Sequence, residues 1–168
     1  FEDLINGNIK DNSIIITFDD GYSNFKENAY PILKKYNIKP TVFVISGMIG
    51  KKDYLSWKDL KEMDIEIGAH TVSHPKLSKI PLEEVEKELV ESKKVIENKL
   101  KNEVKVLAYP YGLKDDINED VIEIAKDNYQ ISASNIVGLN EKTDKHCLKR
   151  VNVFWNDLDI FKVKIKGV

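Results

Sequence analysis

Short runs of β-branched and apolar residues alternate along this chain with longer segments in which apolar positions recur every three or four residues. Residues 13–18 (SIIITF), 40–46 (PTVFVIS), 64–70 (DIEIGAH), 104–109 (VKVLAY), 129–134 (YQISAS) and 147–154 (CLKRVNVF) predict six strands. The first is short, continuous and β-branched, the pattern of a buried strand. Between them, residues 24–36, 56–63, 81–100 and 118–129 predict helices, and residues 157–167 a closing one. In the first, Phe25, Ala29, Ile32, Leu33 and Tyr36 fall near helical spacing, and Pro31 either kinks the helix or starts its second part. Ser56 is placed to cap the second helix. In the helix over 81–100, Pro81 suits the first turn. Leu82, Val85, Leu89, Ile96 and Leu100 share a face, and Glu gives way to Lys along its length, which suits the helix dipole. Strands alternating with helices imply a parallel sheet with helical crossovers. The pattern alone leaves an open doubly wound sheet and a closed β/α barrel both possible, and the length is short for a full eight-fold barrel.

Composition narrows this picture. The 168 residues suit one domain over 1–168; 42 % are hydrophobic and 32 % charged, enough for a core and a solvated surface. A net charge of −2 argues against binding nucleic acid through bulk charge. No run approaches the ~20 apolar residues of a transmembrane segment. The single cysteine, Cys147, excludes an internal disulfide and a cysteine-based zinc site. The chain starts at Phe1, without an initiator Met or a signal peptide, so it reads as an excised or processed piece of a longer protein.

Three of the predicted strands end in unusual polar groups: Asp19-Asp20-Gly21, then His70 and His74 in GAHTVSHP, then Tyr109-Pro110-Tyr111 in AYPYG. In parallel β/α folds the C-terminal strand ends lie on one face, and active sites are built there. Each element alone is ordinary turn chemistry. Together they bring two of the chain's three histidines beside two adjacent carboxylates. Two His with one carboxylate are a common ligand set for a catalytic metal, with zinc, iron, cobalt and nickel all suited. A second carboxylate beside the metal is a natural general base.

These residues resemble the motifs of polysaccharide deacetylases of the NodB-homology type, carbohydrate esterase family 4. TFDDGY (residues 17–22) is similar to the family's first motif, HTVSHP (70–75) to its second, and AYPYG (108–112) to its third, in the form of an "AYPYG" subgroup. The resemblance runs from about residue 13 to 153. It implies a distorted, incomplete (β/α) TIM-like barrel with parallel strands. It implies a divalent metal, usually Zn2+ with Co2+, Ni2+ or Fe2+ as alternatives, held by Asp20, His70 and His74, and Asp19 as catalytic base. It implies a substrate groove lined by Pro110 and Tyr111, the Tyr111 N–H facing the oxyanion. The implied reaction removes N-acetyl groups from an amino-sugar polysaccharide such as peptidoglycan, a chitin-like polymer or poly-N-acetylglucosamine, and releases acetate. An extracellular or cell-envelope location follows from the same resemblance.

The chain departs from the family at two places. Ala108 stands where the third motif often has an Arg that steadies the base, so Arg150 is either a replacement cation from another strand or a surface or structural arginine. The late Leu-x-His motif that supplies the general acid is not evident. His146 precedes the last predicted strand and reads as an exposed loop residue, which leaves Asp19 itself, a water or a missing segment to protonate the amine. Tyr22, Trp57, Tyr109 and Trp155 read first as packing residues and second as platforms for sugar rings. Two other functions stay open: an O-acetyl esterase on acetylated xylan, and a metal-binding carbohydrate-binding domain with little turnover.

Overall fold

The computed structural model describes residues 1–10, 13–140 and 144–153. The elements run α1 (Glu2–Ile5), β1 (Thr17–Phe18), a π-helical turn (Phe25–Ala29), α2 (Tyr30–Lys35), β2 (Thr41–Val44), α3 (Trp57–Glu62) and β3 (Glu66–Ala69). There follow a 3-10 turn (Leu77–Lys79), α4 (Leu82–Leu100), β4 (Val106–Ala108), α5 (Glu119–Asn128), β5 (Ile131–Val137) and β6 (Leu148–Arg150). All six strands form one sheet in the order β1-β2-β3-β4-β5-β6, and every pairing is parallel. A doubly wound sheet reverses its strand order part-way. This one never does, so the winding is that of a barrel. Among the described residues β6 does not pair with β1, and the result is a curled, incomplete barrel.

Strand alternation divides the core. Val42 and Val44 of β2 and Leu107 of β4 point to the helices and join Phe25, Leu33, Leu60, Val85, Leu89, Ile96, Val121 and Ala125. Phe43, Val106, Ala108, Ile131, Ala133 and Leu148 fill the inside of the curl, where Phe1, Leu4 and Ile5 pack against them. Gly68 of β3 is required by this interior: a Cβ there would lie 2.4 Å from the Phe43 ring.

The helices start where local chemistry favours it. Ser56 and Asp59 form a reciprocal capping box on α3. Asn118 Oδ1 accepts from Val121 N at 2.9 Å and starts α5. The stretch over 24–36 is two pieces, and Pro31 opens the second. Proline has no N–H to continue the ladder, and the chain widens to a π-turn before it.

The first strand differs from its expectation. Only Thr17 and Phe18 pair, both half-buried, and Ile14 is 69 % exposed. Among the described residues β1 pairs with β2 alone, and Ile14 and Ile15 stay exposed while Ile16 packs against the helix-side core. Leu82, Ile32 and Tyr36 are also exposed, whereas Val85, Leu89, Phe25 and Leu33 are buried as their spacing implies. The expected closing helix over 157–167 and Trp155 lie outside the described residues.

Candidate metal centre

Because every strand runs the same way, the residues that follow β1, β3 and β4 converge on one rim, and the last residue of β6 joins them. Asp20 follows β1, and His70 and His74 follow β3. His70 Nε2 lies 3.5 Å and His74 Nε2 3.4 Å from Asp20 Oδ1. One ligand atom from each of the three residues lies within 4.8 Å of the others, a group that can hold a metal ion. A tetrahedral zinc with ligand bonds of ~2.0–2.2 Å sets its donors ~3.3–3.5 Å apart, and the two Asp20–histidine separations match that spacing.

His70 is prepared for that role. It is buried, and its Nδ1 lies 2.7 Å from the carbonyl oxygen of Ala108. Nδ1–H must donate to that carbonyl, which leaves the Nε2 lone pair facing Asp20. Burial pushes the ring's pKa down, outweighing the nearby Asp19 carboxylate, so the neutral, ligating form is favoured.

The rim also concentrates unusual backbone. Asp20 (φ 70°), Thr71 (φ 64°), His74 (φ 64°) and Tyr111 (φ 60°) all occupy the left-handed region. Each such non-glycine residue costs of order 1 kcal/mol and persists where the surroundings impose it. Thr71 Oγ1 accepts from His74 N at 3.0 Å and closes the turn that aims the second histidine.

Asp19 faces different company. Arg150 donates to both its oxygens, Nη1 to Oδ1 at 2.7 Å and Nη2 to Oδ2 at 2.8 Å. Its remaining N–H groups reach the carbonyl of Ser134 (2.7 Å), Asn135 Oδ1 (2.6 Å) and Thr17 Oγ1 (3.3 Å). Burial raises the Asp19 pKa, but the Arg150 hydrogen bonds and charge, with His70 and His74, outweigh it and hold the carboxyl below its usual value. Arg150 also links the end of β6 to β1 by side chain, two strands that do not pair among the described residues.

The AYPYG turn lies opposite. The Tyr111 ring sits 4.8 Å from the His74 ring and is 46 % exposed. Its N–H meets no acceptor among the described residues. Pro110 is buried at the same turn. Asn135 donates to the Tyr111 carbonyl at 2.8 Å while accepting from Arg150, and so ties the turn to the arginine that holds Asp19. Sequence reading missed Asn135, since a polar residue late in a strand carries no distinctive signal. Arg150 did carry one: it is the only arginine among the chain's 26 basic residues.

Other candidates fall elsewhere. His146 lies in the turn before β6, its backbone N–H donating to Asp144 Oδ1 at 2.9 Å, at the opposite end of the strand from Arg150. It is half-buried rather than exposed, and burial lowers its pKa. Tyr109 is wholly buried, its hydroxyl donating to the His146 carbonyl, so it is core and not a sugar platform. Trp57 packs against the helix-side core. Tyr22 is 44 % exposed and stacks near Tyr54, ring centroids 5.0 Å apart.

The family model for polysaccharide deacetylase matches residues 6–130. The chain belongs to the polysaccharide deacetylase family. It is 34 % identical over 145 residues to the YxkH protein of Bacillus subtilis (strain 168), covering 83 % of this chain and 51 % of that one. It is 36 % identical over 143 residues to the poly-beta-1,6-N-acetyl-D-glucosamine N-deacetylase of Staphylococcus aureus (strain MSSA476), covering 75 % and 49 %. The chain thus spans about half the length of these curated relatives. Among solved structures, the Streptococcus pyogenes deacetylase PplD in complex with acetate superposes with a TM-score of 0.87 at 27 % identity, over 98 % of this chain and 77 % of that one.

Proposed function

We propose that this chain is a metal-dependent hydrolase that removes N-acetyl groups from an amino-sugar polysaccharide outside the membrane, and that Zn2+ is its metal. The observation that carries the reading is the division of two adjacent acids: Asp20 faces His70 and His74, and Asp19 is gripped by Arg150. The similarity to a poly-N-acetylglucosamine N-deacetylase supports an N-acetylated glycan as substrate.

Asp20, His70 and His74 would hold the ion. A bound divalent cation supplies Lewis acidity and lowers the pKa of a coordinated water towards ~7. Asp19, ionised and oriented by Arg150, accepts the proton of the water that attacks the acetyl carbon. As the new C–O bond forms, charge moves onto the acetyl oxygen, and the unengaged Tyr111 N–H is the donor aimed at it. Losing one such donor typically costs about 10²–10³ in rate. When the C–N bond breaks, Asp19 returns the proton to the leaving amine, and acetate is released. Tyr111, with Pro110 behind it, forms one wall of the substrate groove.

The test is acetate release from N-acetylglucosamine oligomers and from acetylated xylan with Zn2+ present. The reading expects release from the amide substrate. Release from xylan alone would make it an O-acetyl esterase, and zinc binding with release from neither would make it a binding domain. No helix among the described residues is long and apolar enough to cross a membrane.

A further inference from the structure

The loop between the two histidines has few means of holding itself. It contains two left-handed non-glycine residues, Thr71 and His74, and only His74 N and Thr71 Oγ1 bond within it. On one side the segment after β2 holds it, Ser46 N donating to the Thr71 carbonyl and Gly47 N to the Val72 carbonyl, each at 3.0 Å; its side-chain restraints come from α4. Glu88 Oε2 accepts from the backbone N–H of Val72 at 2.7 Å and of Ser73 at 2.9 Å. Glu88 Oε1 accepts from Ser73 Oγ at 2.6 Å. One turn further along, the buried Ser92 donates to the Thr71 carbonyl at 3.0 Å. Residues four apart share a helix face, so Glu88 and Ser92 present a carboxylate and a hydroxyl side by side to three consecutive residues of the loop.

We propose that Glu88 and Ser92 form a clamp that fixes the His70–His74 loop, and that Glu88 is a positioning residue for the metal ligand His74. The proposal rests on the metal-centre reading above. His70 is fixed independently by its bond to Ala108 and by burial. His74 is 23 % exposed at its side chain, and its placement depends on the path of residues 71–73. Glu88 touches no ligand atom. It acts by occupying two backbone donors that point the same way, which a carboxylate does without a counter-rotation of the peptide planes. Groups that orient metal ligands from behind typically change metal affinity by about 10–100-fold when removed.

The experiment measures the Zn2+ dissociation constant by competition with a chromogenic chelator. The proteins are the parent, Glu88→Ala, Glu88→Gln, Ser92→Ala and His74→Ala, with folding checked by circular dichroism. Glu88→Gln retains an amide oxygen for the two N–H groups, and Ser92→Ala suits a helix interior and keeps α4 intact. The expected result is about 10–100-fold weaker binding for Glu88→Ala, near-parent binding for Glu88→Gln, and an intermediate loss for Ser92→Ala. Amide exchange at Val72 and Ser73 in the metal-free protein should rise in Glu88→Ala alone. Should Glu88→Ala not fold, Ser92→Ala decides. Parent-like affinity in a folded Glu88→Ala, or in Ser92→Ala where it decides, with His74→Ala still losing metal, would overturn the clamp and leave the metal centre standing. Equal binding by parent and His74→Ala would overturn both.

Discussion

Asp19 and Asp20 are the same side chain one residue apart, and their surroundings separate them. Asp20 meets two imidazoles; Asp19 meets a guanidinium that gives it two bonds. The choice of arginine matters, because a lysine presents one point charge and cannot serve five acceptors in a plane. Replacing Arg150 by Met leaves burial as the dominant influence on Asp19, so its pKa rises. The acid limb of kcat/KM should then move to higher pH, and Arg150→Lys should restore it only in part; an unmoved limb in Arg150→Met would contradict the pairing. The sign for stability follows. Asp19 is held below its ordinary 3.8, so the pair's contribution to stability is fully present above that pH and is lost as pH falls from there through the lowered folded value. Removing Arg150 also strands Asp19, Asn135 and the Ser134 carbonyl, at a cost of about 2–4 kcal/mol. At this scale the convergence of Asp20, His70 and His74 beside Asp19 was legible in the sequence, because strand-end acids and a His-x-x-x-His pair are conspicuous. Arg150's engagement was only half legible: its uniqueness is visible, but its reach to β1 depends on the barrel's curl.

The elements show which patterns can be read and which mislead. α4 buries Val85, Leu89 and Ile96 completely, and Leu89→Ala should cost about 2–5 kcal/mol in chemical denaturation; a loss under ~1 kcal/mol would mean that α4 is not a main support of the sheet. The stripe that buries them has a gap at position 92, filled by a buried serine rather than an apolar residue. That gap was the available sign that α4 also carries hydrogen bonds to the histidine loop. β1 misled for the opposite reason. Its composition is that of an interior strand, yet among the described residues it pairs for two residues and with β2 alone. Neighbours decide such a segment, and a linear pattern does not contain them. The same holds for Leu82, Ile32 and Tyr36, which keep helical spacing but lie outside the contact stripe.

At the scale of the molecule, sequential parallel strands put Asp19, Asp20, His70, His74, Tyr111 and Arg150 on one edge although they lie up to 131 residues apart in sequence. The curl turns a sheet into a rim, and Arg150 links its first and last described strands. Alternating strands and helices announced a parallel sheet; only the strand order separated a barrel from a doubly wound sheet. That order is a property of packing, invisible to periodicity. The central claim is that this rim divides two neighbouring carboxylates into a ligand and a base. The most direct measurement is zinc content and acetate release of Asp19→Asn beside the parent, on N-acetylglucosamine oligomers at neutral pH. Parent-like zinc content is expected, with acetate release lower by about 10²–10⁴-fold, the usual span for a lost general base. Zinc retained with acetate release within a few-fold of the parent would contradict the central claim.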